Sequence, residues 1–262
     1  MNKTLVMSLV ALVVMTMTSC LHVKIDGKDW SIGGSHENNT PTQVHQVGQE
    51  TVMNPFDEVN VAGPFNVIYE QGEGHSVRVE GTTEQLGKMT IYVKSGELYI
   101  DERKQEPNGT FKGLQVFVTS PMIDGIALAG SGTVSAPKAL KVNDINLELA
   151  GSGGITLAQL TCKDLKIQIA GSGDVTLGSV QAGEVKNEIA GSGDVEVAAL
   201  TCKKVKNEIA GSGDITLNNL KVDDVKTDIA GSGDVILRGV AAHHDEDIAG
   251  SGKVDVSGLK SL

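Results

Sequence analysis

The chain has 262 residues, with 32 Gly, four Phe, three Tyr, one Trp and a formal net charge of −11. That acidity excludes nucleic acid and anionic lipid as partners, since both require clustered Lys and Arg. The glycine-rich, aromatic-poor mixture favours one solenoid over two small globules.

Residues 1–20 have the layout of a secretory signal: Lys3, an apolar run from Leu5 to Met17, then Thr18-Ser19-Cys20. The apolar stretch is short for a membrane span. A cysteine closing such a segment points to a lipoprotein, in which cleavage leaves Cys20 as the acylated N-terminus. Several acyl chains hold a soluble domain at a bilayer far better than one. Met17 stands where Leu is more usual. Everything after Cys20 is therefore expected in a bacterial cell envelope, lipid-anchored at the outer membrane, facing either the periplasm or the surface. Residues 21–54 are polar, lack a sustained apolar period, and read as a flexible tether.

Residues 55–128 contain short alternating stretches at 76–80, 89–93, 97–101 and 114–118, and hold every Phe and Tyr. They read as irregular N-terminal β coils or a small β-cap. The segment Val61-Ala62-Gly63-Pro64-Phe65-Asn66-Val67 echoes the repeat that follows.

From 129 to 262 the chain repeats. Ala-Gly-Ser-Gly begins at 129, 150, 170, 190, 210, 230 and 249, spacings of 21, 20, 20, 20, 20 and 19. A recurrence of this length marks a solenoid, whose units must stack to bury their apolar face. Ile169, Ile189, Ile209 and Ile229 share a column, as do Val175, Val195, Ile215 and Val235. A second pair of columns begins at Leu160 and Cys162. Alternation in runs of four or five, rich in β-branched residues, describes strands and excludes helical repeats. The expected fold is all-β: a right-handed parallel β-helix of about 20 residues per coil, with three short strands per coil. The glycines Gly130, Gly132, Gly151, Gly153, Gly171, Gly173, Gly191, Gly193, Gly211, Gly213, Gly231, Gly233, Gly250 and Gly252 are read as a steric requirement of the corner.

Several columns could carry chemistry. Asp174, Asp194, Asp214 and Asp234 follow the corner in successive coils, a row that could coordinate Ca²⁺. The stronger reading is hydrogen bonding to local backbone N–H groups, because the nine-residue period of a Ca²⁺-binding β-roll is absent. Lys166, Lys186, Lys206 and Lys226 beside Glu188, Glu208 and Asp228 read as a solvated, salt-bridged face. Asn187, Asn207 and Thr227 should point inward as a hydrogen-bonded ladder.

Cys162 and Cys202 lie two coils apart, about 9.6 Å by the strand spacing and beyond the ~7 Å a disulfide tolerates. Two free, buried thiols are expected. His243-His244-Asp245-Glu246-Asp247 is the densest set of metal ligands, but adjacent side chains diverge on a strand, so an exposed terminal corner or cap is the better reading. No Ser/His/Asp set, phosphate loop or zinc motif appears, and the regular coils carry no aromatic residue on which a sugar could stack. The expectation is a chain with no catalytic residue, metal or cofactor.

The stretch from Phe56-Asp57-Glu58-Val59 through Val67, the strand Gly96-Glu97-Leu98-Tyr99-Ile100, and the Gly-Ser-Gly-x-Val corners beginning at 130 together resemble a known family. It comprises bacterial lipoproteins described as auto-transporter adhesins with a head GIN domain, and the likeness covers about 55–260. The resemblance implies a β-solenoid on the envelope and an adhesin role, and supplies no catalytic residues. The partners expected are the membrane, through the lipid anchor, and a protein or glycan ligand. Two alternatives stand beside this reading: a structural component that self-associates as a homo-oligomer, and a polysaccharide-active β-helix enzyme.

Overall fold

The computed structural model describes residues 22–25, 28–31, 44, 46–103 and 110–261. The chain divides into two units, Met1–Thr40 and Pro41–Leu262. In the first, His22–Ile25 pairs antiparallel with Lys28–Ser31. The signal segment and Cys20 lie outside the described residues.

The second unit is a β-solenoid of about 7 turns with roughly 20-residue spacing. A regular coil is built from two stretches, for example Asp164–Gly171 and Asp174–Gln181. Each pairs in parallel with its counterpart one coil on, Leu165 with Val185 and Val175 with Val195. The sequence dictates this locally. Leu165, Ile167 and Ile169 alternate with Lys166 and Gln168, so one face of the pleat is apolar and buried while the other meets water. Along the axis those residues form continuous aliphatic stacks, each buried Ile, Val or Leu contributing on the order of 1.5–3 kcal/mol.

The coil has three sides, but two of them share one bent strand. In Asp174–Gln181, Val175 and Leu177 point inward, Gly178 and Ser179 both point out, and Val180 returns inward. Two consecutive outward residues mark the bend, and the inter-coil pairing skips position 178. We call 164–171 side one, 174–177 side two and 179–181 side three.

Two of the three corners differ in tolerance. At the glycine corner, Gly211 has φ +141°, and a Cβ there would lie 2.1 Å from the carbonyl oxygen of Gly191. That same carbonyl accepts the Ser212 N–H at 2.8 Å, so the coils are in backbone contact here. The bend between sides two and three absorbs every change of period. The extra residue of the 21-residue spacing sits between Ala136 and Ala139, and the missing one of the 19-residue spacing falls after Leu237.

The irregular region is stacked out of chain order. Strand Glu58–Ala62 lies between Glu97–Glu102 and Gly125–Gly130, parallel to both. Likewise Asn66–Gln71 lies between Gln115–Ser120 and the start of Thr133–Lys141. The chain thus lays down one coil at 58–71, builds the layer beyond it, and returns past Asp124 to continue on the other side. Antiparallel strands Met89–Lys94 and Ser76–Glu80 widen that outer layer. The short helix Thr83–Gly87 between them is opened by a Thr82/Gln85 capping box. The echo at 61–67 is a true corner, with Ala62 opposite Ala129 and Val67 opposite Val134.

The tether expected over 21–54 is corrected at both ends. Besides the pair at 22–31, Glu50–Val52 joins the outer layer antiparallel to Ser76–Glu80, and Val44 and Met53 are core residues. A single three-residue edge strand leaves no apolar period for sequence reading to detect.

Candidate binding surface

Outer side one is laced with charge that the protein neutralises itself. Lys186 pairs with Glu188 in its own coil and with Glu208 of the next at 3.3 Å. Lys166 reaches Glu188 at 3.4 Å, Lys206 pairs with Glu208, and Lys226 with Asp228 at 3.0 Å. Partial burial opposes charge on Lys186, yet its two carboxylate neighbours prevail and raise its pKa. Burial likewise pushes Glu208 up, but Lys206 and Lys186 outweigh it and hold the carboxyl below its usual range.

Beyond the corner aspartates, outer sides two and three are different. Between Thr156 and Lys221 the outward positions are filled by Thr156, Thr176, Thr216, Ser179, Gln181, Thr201 and small or amide residues. Glu196 and Lys221 are the charged exceptions on this face. It is an array of hydroxyl, amide and methyl groups on either side of the bend, most of them exposed.

The corner aspartates spend an oxygen on the fold. Oδ1 of Asp174, Asp194, Asp214 and Asp234 accepts the backbone N–H of Asp194, Asp214, Asp234 and Lys253 at 3.1, 2.8, 2.7 and 2.9 Å. The bond runs to the next coil instead of locally, because parallel stacking brings that N–H directly over the carboxylate. Among the described residues no group of three or more His, Cys, Asp or Glu is gathered to hold a metal.

In the core, Asn187 Nδ2 donates to Asn207 Oδ1 at 2.8 Å, and Asn207 Nδ2 donates to Thr227 Oγ1 at 3.2 Å. Asn187 Oδ1 at the ladder's end is buried without a hydrogen-bond partner. Both regular-coil cysteines are free thiols. Cys202 is buried, whereas Cys162 is only partly so, a correction to the expected pair of buried thiols. Burial raises both, Cys162 to about 11 and Cys202 to about 12, leaving neither a thiolate at neutral pH.

The segment 243–247 is neither a corner nor a loop. It continues strand Asp234–Gly250, paired with Asp224–Asp228 of the preceding coil, and all five of its residues are exposed. The shortened period suggested a turn here, but the missing residue belongs to the bend at 238–239.

Sequence reading of the regular coils passed over the aromatics of the outer layer. Tyr92 and Tyr99 stack at 5.1 Å with planes 11° apart. Their hydroxyls donate to Asp101 at 3.3 Å and Glu97 at 2.5 Å. Burial raises both phenols, Tyr92 to about 12, and the adjacent carboxylates add to the effect. On the paired strands Ser76–Glu80 and Gln115–Ser120, Arg78 lies 4.1 Å over Phe117. A cleft of about 170 Å³ lies among Leu86, Met89, Ile91 and Arg103. It falls well short of the 300–1,000 Å³ usual for a small-molecule site.

Comparison with known proteins gives a consistent picture. A family model described as "Putative auto-transporter adhesin, head GIN domain" matches residues 55–221 and 206–261. A solved "putative adhesin" from Bacteroides fragilis is 24% identical with TM-score 0.74, over 82% of this chain and 95% of that one. A "putative lipid binding protein" from Parabacteroides distasonis is 21% identical with TM-score 0.64, over the same 82% and 95%. A "putative adhesin" from Parabacteroides merdae is 17% identical with TM-score 0.53, over 79% and 93%. At these identities the solved structures show the fold alone. No curated protein matches the chain.

Proposed function

Since the chain belongs to the family described as "Putative auto-transporter adhesin, head GIN domain", we propose that it is a noncatalytic binding module of the bacterial cell envelope, anchored through lipid on Cys20. Its ligand, a glycan or protein surface, docks on side two and the adjoining side three. The observation that carries this reading is the contrast between faces. Side one has its charges committed to one another across coils, whereas Thr156, Thr176 and Thr216 on side two and Ser179 and Gln181 on side three present unspent hydroxyl and amide groups on rigid backbone. A preorganised surface of this kind loses little conformational freedom on binding. Glycine corners in backbone contact leave no room for the long loops that wall the clefts of β-helix enzymes.

The test replaces Thr176 and Thr216 with Arg and compares the variant with Lys186→Gln, which alters side one. Purified proteins are applied to a glycan panel and to host-protein pull-downs, scored for retention and for cleavage. Retention lost only in the side-two variant is the expected result. Equal retention by both variants sinks the choice of face, and cleavage of any glycan sinks the noncatalytic reading. Protease shaving of intact cells, with and without Cys20→Ala, tests the anchor.

A further inference from the structure

Three inward columns of side one run through the regular coils. The first reads Ile145, Leu165, Val185, Val205, Val225 and then His244. The second reads Leu147, Ile167, Asn187, Asn207, Thr227 and then Glu246. The third stays aliphatic, from Leu149 to Ile248. Every earlier occupant of the first two columns is at most 3% exposed, yet His244 and Glu246 are exposed.

Among the described residues, 243–250 is paired on one side only, with 224–231, while Lys253–Ser261 covers 234–241. The other edge carries unpaired backbone donors and acceptors, a template on which a further strand can add. Close by lie Ile248, Val254, Val256 and Leu259, aliphatic residues only partly buried. An open edge beside half-buried aliphatic side chains would ordinarily drive two solenoids to stack as though one continued the other.

We infer that His244 and Glu246 together form a stop that prevents a second copy of this chain from adding a coil at this end. For a strand to seat there, the first two columns would have to continue over an imidazole and a carboxylate, removing both from water. Over Val225 and Thr227 the two would have no polar neighbours but each other and the Thr227 hydroxyl, and the desolvation of both groups outweighs their mutual attraction and the small apolar area gained. Asp245 and Asp247 extend the outward columns of Lys226 and Asp228. They would stay solvated in a stacked assembly and do not act as a stop.

Sedimentation of the full chain in detergent at rising concentration tests this. The wild type is expected to remain a monomer, and H244V/E246T, which restores the residue types of the preceding coil, to shift to dimers and longer species. D245T/D247T removes more charge from the same strand but on its outer face, and should remain a monomer. Adding Ile248→Lys to H244V/E246T should return it to monomer, which separates end stacking from misfolding. The inference is overturned if the wild type itself associates, if H244V/E246T stays monomeric with native circular dichroism, if D245T/D247T associates as strongly, or if Ile248→Lys fails to reverse association.

Discussion

Oδ1 of Asp194 accepts the backbone N–H of Asp214 at 2.8 Å, so the side chain of one coil fixes the main chain of the next. With Asp174 and Asp234 in the same arrangement, the row is a set of inter-coil clips that occupies one oxygen of each carboxylate. Asp194→Ala should lower stability by about 1.5–3 kcal/mol, the range for a hydrogen bond to a charged group. Asp194→Asn keeps an acceptor oxygen and should lose less. Urea unfolding of the two variants measures the difference, and an Asn variant as unstable as the Ala variant would refute the clip. Added Ca²⁺ should leave the wild-type midpoint unchanged.

The glycine corner makes a sharper test. Gly211→Ala places a Cβ 2.1 Å from the Gly191 carbonyl oxygen at φ +141°, combining backbone strain with a clash against main chain that cannot rotate away. A cost of about 3 kcal/mol or more is expected. Gly74 also has positive φ, +78°, but nothing lies within 4 Å of its Cβ position, so Gly74→Ala should cost about 1 kcal/mol from backbone strain alone. Thermal melts of the pair check the ranking.

These corners explain why so much of the fold was legible. Backbone contact between coils demands Gly at Gly211 and its equivalents, and parallel stacking demands that Ile169, Ile189 and Ile209 align, so the period is written in the residues themselves. The outer layer was opaque because Glu58–Ala62 has its neighbours at 97–102 and 125–130, an order that no local pattern encodes. The clip was only half legible: the sequence marks Asp194 as a hydrogen-bonding corner residue, but the Asp214 N–H becomes its partner only once coils are stacked. The site at 243–247 was misplaced because a 19-residue spacing does not say where the residue is missing.

The buried ladder should be strongly non-additive. Asn207→Val leaves Asn187 Nδ2 and Thr227 Oγ1 without their partner in the core, which costs about 1–3 kcal/mol for an unsatisfied buried group. Replacing Asn187, Asn207 and Thr227 together by Val continues the aliphatic column of Leu147 and Ile167 and also removes the unpartnered Asn187 Oδ1. The triple variant should therefore be at least as stable as Asn207→Val and close to wild type. Chemical denaturation of single and triple variants reads the coupling, and simple additivity would show that the ladder is not a unit.

The thiols offer a direct check on coil register. With Cys162 pushed up to about 11 and Cys202 to about 12, neither supplies thiolate near neutral pH. In the folded protein Cys202 should resist a thiol reagent, and Cys162, partly exposed, should react slowly and before it. Both should react at once in denaturant. Mass spectrometry showing a bond between them would mean that the two-coil separation is wrong.

Acid stability should follow the side-one ladder. Glu208 has its folded pKa lowered, because Lys206 and Lys186 outweigh the effect of burial. A lowered carboxyl pKa stabilises the fold fully above the ordinary glutamate value of about 4.3, and that contribution is lost as pH falls through the lower folded value. Lys186 behaves in the opposite sense. Its raised pKa gives stability that is full below the ordinary lysine value of about 10.4 and disappears as pH rises through the higher folded one. Glu208→Gln should therefore melt below wild type at neutral pH and converge with it under acid conditions, where wild-type Glu208 is itself neutral. Because both partners are about a fifth to a third exposed, the gap should be small and should shrink in high salt. Thermal melts across the acid range decide the matter: a gap that persists unchanged below the carboxylate range would show that Glu208 stabilises the face by packing and not by charge.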